Sequence, residues 1–200
     1  GDGTPDEQQV LFMYGTDGQG SVNRELEVIT ITGSDFTDET VSATAASVAT
    51  GISGQTAFDR WEYIGNNTDE NDTAKLNISG SSITPVILNA DGGKSYTFKA
   101  HFAEDTSGIS DNSDGIPDKY QAFVEFVSTN SSQGTVTGKI KQVVTFGSAG
   151  SYIQGGTIVP SLTDVLTNAK GGFAFDYWTE GASSQKLTKD TIEVSRTVTG

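Results

Sequence analysis

The sequence predicts a β-rich α+β protein made of two tandem copies of one module. Three observations carry this. Hydrophobic residues are only 34% of the 200 residues, with 24 glycines. Apolar side chains recur with period two in several short runs. The chain also contains an internal duplication. The helix signals are short, so an all-β sandwich is the alternative architecture.

The duplication orders the elements. Asp2-Gly3-Thr4-Pro5-Asp6-Glu7-Gln8-Gln9 returns 112 residues later as Asp114-Gly115-Ile116-Pro117-Asp118-Lys119-Tyr120-Gln121. A β-like run follows each, Val10–Tyr14 and Ala122–Phe126. Next, Glu25–Gly33 matches Lys139–Gly147, Phe58-Asp59-Arg60-Trp61 matches Phe175-Asp176-Tyr177-Trp178, and Lys75-Leu76 matches Lys186-Leu187. The drift in spacing belongs to loops, which tolerate insertion. The boundaries that follow are a first module over 1–104, an acidic linker over 105–113 and a second module over 114–200. The first module closes on Lys94–Phe102, where Tyr96, Phe98, Ala100 and Phe102 share one face. The second ends after Thr191–Val198 with no obvious counterpart of that strand, so it reads either as cut short or as closed by a different last strand. The opening Gly1-Asp2-Gly3 reads as the start of an excised piece.

Each module reads as strand, strand, short helix, strand, strand. The helices are expected at Ala43–Val48, stopped by Gly51, and at Ser161–Ala169, with Ser161 and Asp164 as the N-terminal cap signal. Phe173–Trp178 carries aromatics on both faces and is expected to be a buried central strand.

Composition excludes several functions. With 12 Lys and Arg against 26 Asp and Glu, the net charge of −14 opposes binding to nucleic acid or to an anionic membrane surface. Without Cys there is no disulfide or thiolate chemistry, and a single His cannot build a His-rich metal site. No apolar run approaches the roughly 18 residues that span a bilayer. Neither a phosphate-binding glycine loop nor a nucleophile elbow occurs. The same charge favours a soluble monomer.

The Asp-Gly-Ile-Pro-Asp-Lys-Tyr-Gln segment at 114–121 resembles junctions between tandem modules of large Gram-positive surface proteins. The order of a β run, a short helix, Phe-Asp-x-Trp and a closing Tyr-Thr-Phe-x-Ala-x-Phe strand is similar to the internalin B-repeat and related Listeria–Bacteroides repeats. Gly172-Phe173-Ala174-Phe175-Asp176-Tyr177-Trp178 departs from the usual Gly-Tyr-x-Phe-x-Gly-Trp. The resemblance implies β-grasp-like modules. It also implies a non-enzymatic stalk, spacer or adhesin segment, extracellular or attached to the cell wall, whose partner is a host or cell-wall glycan or protein. A carbohydrate-binding module of a secreted protein is the alternative.

Candidate sites are few. Ser110–Asp118 resembles the calcium loop of thrombospondin type 3 repeats, with Asp111, Asn112, Asp114 and Asp118 as candidate ligands and Asp105 upstream. Calcium takes six to eight oxygens, which alternating acidic side chains on a turning loop supply. The competing reading is a solvated acidic turn ended by Pro117. His101 is expected on a solvent face with Thr97 and Lys99, without the nucleophile and carboxylate that catalysis needs. Trp61 and Trp178, at equivalent repeat positions, are expected to pack rather than to stack on sugars. Lys99 and Lys139 are expected to be exposed, which opposes an isopeptide crosslink.

Overall fold

The computed structural model describes residues 2–32, 39–66, 73–106, 113–148, 151–152, 155–158, 162–180, 187 and 194–197. They form β1 (Gln9–Thr16), β2 (Gly20–Val22), β3 (Leu26–Thr30), β4 (Glu39–Ser42), β5 (Ser47–Gly51), β6 (Thr56–Asn66), β7 (Thr73–Lys75), β8 (Ile78–Ser79), β9 (Ser82–Ile83), β10 (Val86–Ala90) and β11 (Ser95–Glu104). There follow β12 (Gln121–Glu125), β13 (Gly134–Gly138), β14 (Lys141–Thr145), β15 (Gly147–Ser148), β16 (Ser151–Tyr152), β17 (Gly155–Ile158), β18 (Val165–Ala169) and β19 (Val194–Thr197). Single 3-10 turns at Asp6–Gln8 and Asp118–Tyr120 lead into β1 and β12. No α-helix occurs among the described residues, so the all-β alternative fits and the α+β expectation gives way. Among the described residues no helix is long and apolar enough to cross a membrane.

The chain divides into two compact units, Gly1–Asp118 with Ser148–Tyr152, and Lys119–Gly147 with Ile153–Gly200. In the first, a four-stranded sheet has the order β3-β1-β11-β6. β11 lies parallel to β1, from Leu11↔Ser95 to Thr16↔Ala100, and antiparallel to β6, with Ala100↔Trp61 and Phe102↔Phe58. The period-two reading holds here. Tyr96, Phe98, Ala100 and Phe102 are buried, as are Val10, Phe12 and Tyr14 of β1. The second face of the core comes from Val41, Ala49, Ile83 and Ile87, contributed by the sheets β4-β10-β7 and β2-β5-β9-β8. The Phe98 ring lies 6.2 Å from Phe12, 5.9 Å from Tyr14 and 5.4 Å from Tyr63.

Neither expected helix forms, and the backbone donors explain why. Between Ala43 and Val48 they are taken by distant partners. Ala43 donates to the Pro85 carbonyl (3.0 Å), Thr44 to Glu27 Oε1 (2.8 Å) and Val48 to Asn23 Oδ1 (2.7 Å). The Thr44 hydroxyl also donates to the buried Glu27 carboxylate, fastening this loop to β3. In the second unit, Val165 closes a turn on the Leu162 carbonyl and 165–169 become β18, paired with β13 from Gly134↔Ala169 to Gly138↔Val165. Val, Thr and Asn in that run favour extended structure over a helix. The cap residue Ser161 lies outside the described residues.

The two units share a register. Gln9↔Thr30 through Met13↔Leu26 in β1–β3 has its counterpart in Gln121↔Thr145 through Glu125↔Lys141 in β12–β14. Ile31 donates to the Gln8 carbonyl, and Phe146 to that of Tyr120. Buried Ile31 therefore corresponds to buried Phe146, one residue away from the alignment of Glu25 with Lys139. Gly3 and Gly115 both adopt positive φ, 85° and 83°, which explains glycine at that step of each junction. The pairing of β2 with β5 is echoed by β13 with β18.

Phe98→Ala is expected to cost about 3–5 kcal/mol, because it opens a cavity among three rings. Leu26→Ala, on a side chain 53% exposed, is expected to stay within about 0.5 kcal/mol. Urea denaturation of both variants checks this.

Candidate functional site

Three regions hold the sequence-predicted residues. At the junction, Asp105 is buried at 3% exposure. Its Oδ1 accepts the Asp114 amide (3.2 Å) and its Oδ2 the Gly115 amide (2.9 Å). Asp118 Oδ2 accepts both the amide and the hydroxyl of Thr106, each at 3.1 Å. Asp114 Oδ1 accepts the Ile116 amide at 3.0 Å, the local turn that Asp-Gly favours. These carboxylates thus fasten the backbone of the loop directly. Asp111 and Asn112 lie outside the described residues. Among the described residues no group of three or more His, Cys, Asp or Glu side chains is placed to hold a metal ion. The clasp made by Asp105 is the feature that sequence reading missed, having taken this residue as the start of a linker. Burial is the main cause that raises the Asp105 carboxyl above its ordinary value, and the charges of Asp114 and Asp118 add to it. The two backbone donors work in the opposite direction.

His101 is half-buried on the outer face of β11. Its Nε2 lies 2.6 Å from Glu62 Oε2 on β6, and its Nδ1 3.7 Å from Asp17 Oδ2. Asp17 is fixed in turn by accepting the Phe102 amide at 3.0 Å. The imidazole therefore stands between two carboxylates. Nucleophilic catalysis of the triad kind needs a hydroxyl or thiol on one ring nitrogen, and both sides here face acids. The expectation of a purely solvent-facing His is corrected by this pairing.

The aromatic positions diverge between the units. Trp61 is 4% exposed and its indole N–H donates to the Ser81 carbonyl at 3.0 Å. It is a packing residue, as expected. Its counterpart Trp178 is only partly buried, against Phe126 and Phe175, each 5.2 Å away. Phe173–Trp178 is not the buried strand predicted for it. Trp178 alone makes a strand-like pair, with Leu187. Phe173, Phe175 and Tyr177 are 51%, 49% and 40% exposed. They line an open cleft of about 770 Å³ with Phe123, Phe126 and Trp178. Lys139 is exposed and paired with Asp164 at 3.0 Å, as its reading required. Comparison with family models, curated proteins and solved structures returns no match to this chain.

The raised Asp105 value sets a pH dependence. A carboxyl that holds its proton more tightly when folded contributes most below 3.8, its ordinary value. That contribution is lost as pH rises through the folded value. The stability advantage of the wild type over Asp105→Asn is therefore expected to narrow as pH rises from about 3 to 7. Paired urea denaturations measure it, and an advantage that widens with pH contradicts the assignment.

Proposed function

We propose that this chain is a non-enzymatic repeat segment of a secreted or cell-surface protein, acting as a stalk, spacer or adhesin element. The observation that supports it most is the parallel pairing of β1 with β11. β1 and β11, the first and last strands of the 1–118 segment of the first unit, lie side by side and point the same way. Tension applied at the two ends of that unit loads their hydrogen bonds in shear, so that several must break together. A peeling load breaks them one at a time. A segment built to bear tension gains from the first arrangement. The net charge of −14 keeps such an element soluble and apart from its copies.

The β-grasp-like description enters this proposal only as a small sheet with a parallel pair, since its helix is absent among the described residues. Calcium enters this proposal through the four oxygen donors Asp111, Asn112, Asp114 and Asp118, of which Asp114 Oδ1 and Asp118 Oδ2 also accept backbone amides. The second reading, a carbohydrate-binding module, draws support from the exposed aromatics Phe173, Phe175 and Tyr177, because aromatic faces stack on sugar rings. Buried Trp61 lends it none.

The chain has no Cys, so engineered thiols give unique handles. Cysteines at Asp2 and Glu104 load β1 and β11 in shear, and cysteines at Gln19 and Glu104 peel them. Single-molecule force measurements on the full chain are expected to show a higher unfolding force in the first geometry. Equal forces would remove the mechanical reading.

A further inference from the structure

The turn that receives Asp105 and Thr106 occurs twice in this chain. At 114–118 it holds that pair at two points. Asp105 accepts the Asp114 and Gly115 amides through separate oxygens, at 3.2 and 2.9 Å. Asp118 Oδ2 answers by accepting the amide and the hydroxyl of Thr106. Hydrogen bonds to carboxylates are stronger than those between neutral groups. The pair recognised in this way follows directly on a strand, since β11 ends at Glu104.

The first copy of the turn, at 2–6, is built the same way. Gly3 and Gly115 share a positive φ. Asp2 Oδ1 accepts the Thr4 amide at 3.0 Å, as Asp114 Oδ1 accepts that of Ile116. A 3-10 turn starts at Asp6, as one starts at Asp118. These three constraints give the same backbone path. The Asp2 and Gly3 amides and the Asp6 carboxylate therefore stand as those of Asp114, Gly115 and Asp118 do. What differs is cover. Pro117 is fully buried and Asp118 half-buried, whereas Asp2, Gly3, Pro5 and Asp6 are all exposed. Among the described residues no partner bonds to the Asp6 carboxylate, and no carboxylate of another residue takes the Asp2 or Gly3 amide.

From this we infer that the exposed turn at 2–6 is a docking site for a second Asp-Thr segment, carried by a polypeptide at the end of an extended strand. The turn holds it as 114–118 holds Asp105 and Thr106. The Asp is recognised by its two carboxyl oxygens, one for each amide, and Asn supplies one acceptor oxygen where this geometry uses two. The Thr is recognised by its amide and hydroxyl together, which Asp6 takes. The turn carries its own acids, Asp2, Asp6 and Glu7. It therefore suits a segment attached close by, whose effective concentration offsets the repulsion. For that attachment the inference rests on the repeat-segment reading, which it deepens, and it is independent of the shear argument.

The probe is the full chain with a copy of residues 104–113 in place of Gly1. The copied Asp105 then stands as far ahead of Asp2 as Asp105 stands ahead of Asp114. Residue-resolved hydrogen exchange, first with a chelator and then with calcium, reads the Gly3 amide. With the chelator it is expected to slow at least about tenfold relative to the unextended chain, as a tethered carboxylate allows. Asp105→Ala within the copied segment alone, and separately Asp6→Ala, are expected to return it to the fast rate. Asp6 is exposed, so Asp6→Ala leaves the melting temperature in place. The Gly115 amide, held by the chain's own Asp105, reports on the fold in every variant. An unslowed Gly3 amide overturns the inference. So does slowing that survives Asp105→Ala in the copy, which is unspecific cover. Slowing that appears only with calcium gives the turn to a cation and overturns it too. None of these outcomes bears on the forces measured through the engineered cysteines, and equal forces there leave the Gly3 result standing.

Discussion

The first unit depends on β11 having a partner on each edge and rings at Tyr96, Phe98 and Phe102 on its buried face. Its Phe98 touches rings from β1 and β6 at once, and Phe102 meets Phe58 edge to face, with centroids 6.3 Å apart. Each such side chain buries on the order of 150–250 Å² and gains further from its ring geometry. The pairing with β1 is also parallel, so it joins residues more than 80 positions apart. Parallel neighbours need a long crossover, and here β2 through β10 lie between them. The sheet can close only after most of the unit is in place, which makes this a fold of high contact order and slow assembly.

The described residues of the second unit repeat part of this arrangement. The turn into β12, the β12–β14 register and the β13–β18 pair reproduce the first unit's arrangement. The Ala-Phe-Asp-x-Trp segment does not. In the first unit it is part of β6, with Phe58 and Trp61 buried. In the second it runs without a ladder, and Phe175 and Tyr177 face outward. Local sequence does not decide between these outcomes, since Phe-Asp-x-Trp is common to both.

Much of the strand layout was legible because period-two alternation reports directly on a half-buried strand. Tyr96, Phe98, Ala100 and Phe102 show this. The duplication was legible to within one residue, since Ile31 rather than Thr32 answers to Phe146. The helices at Ala43–Val48 and Ser161–Ala169 were misread because their backbone donors go to groups far away in sequence, such as Pro85 and Glu27 for the first. No local pattern announces such partners. The Asp105 clasp was hidden for the same reason, since an acidic, Ser- and Asn-rich stretch looks solvated until its carboxylate is seen taking two amides. Trp61 and Trp178 looked equivalent, but Trp61 lies in β6 opposite Ala100 and is buried, whereas Trp178 bridges to Leu187 and stays partly exposed.

Hydrogen exchange across the unliganded chain, resolved by residue, tests the central claim most directly. If β11 is the strand on which the first unit is built, the amides of β1, β6 and β11 exchange together and slowest of all. Early opening of β11 ahead of β3 would contradict the account.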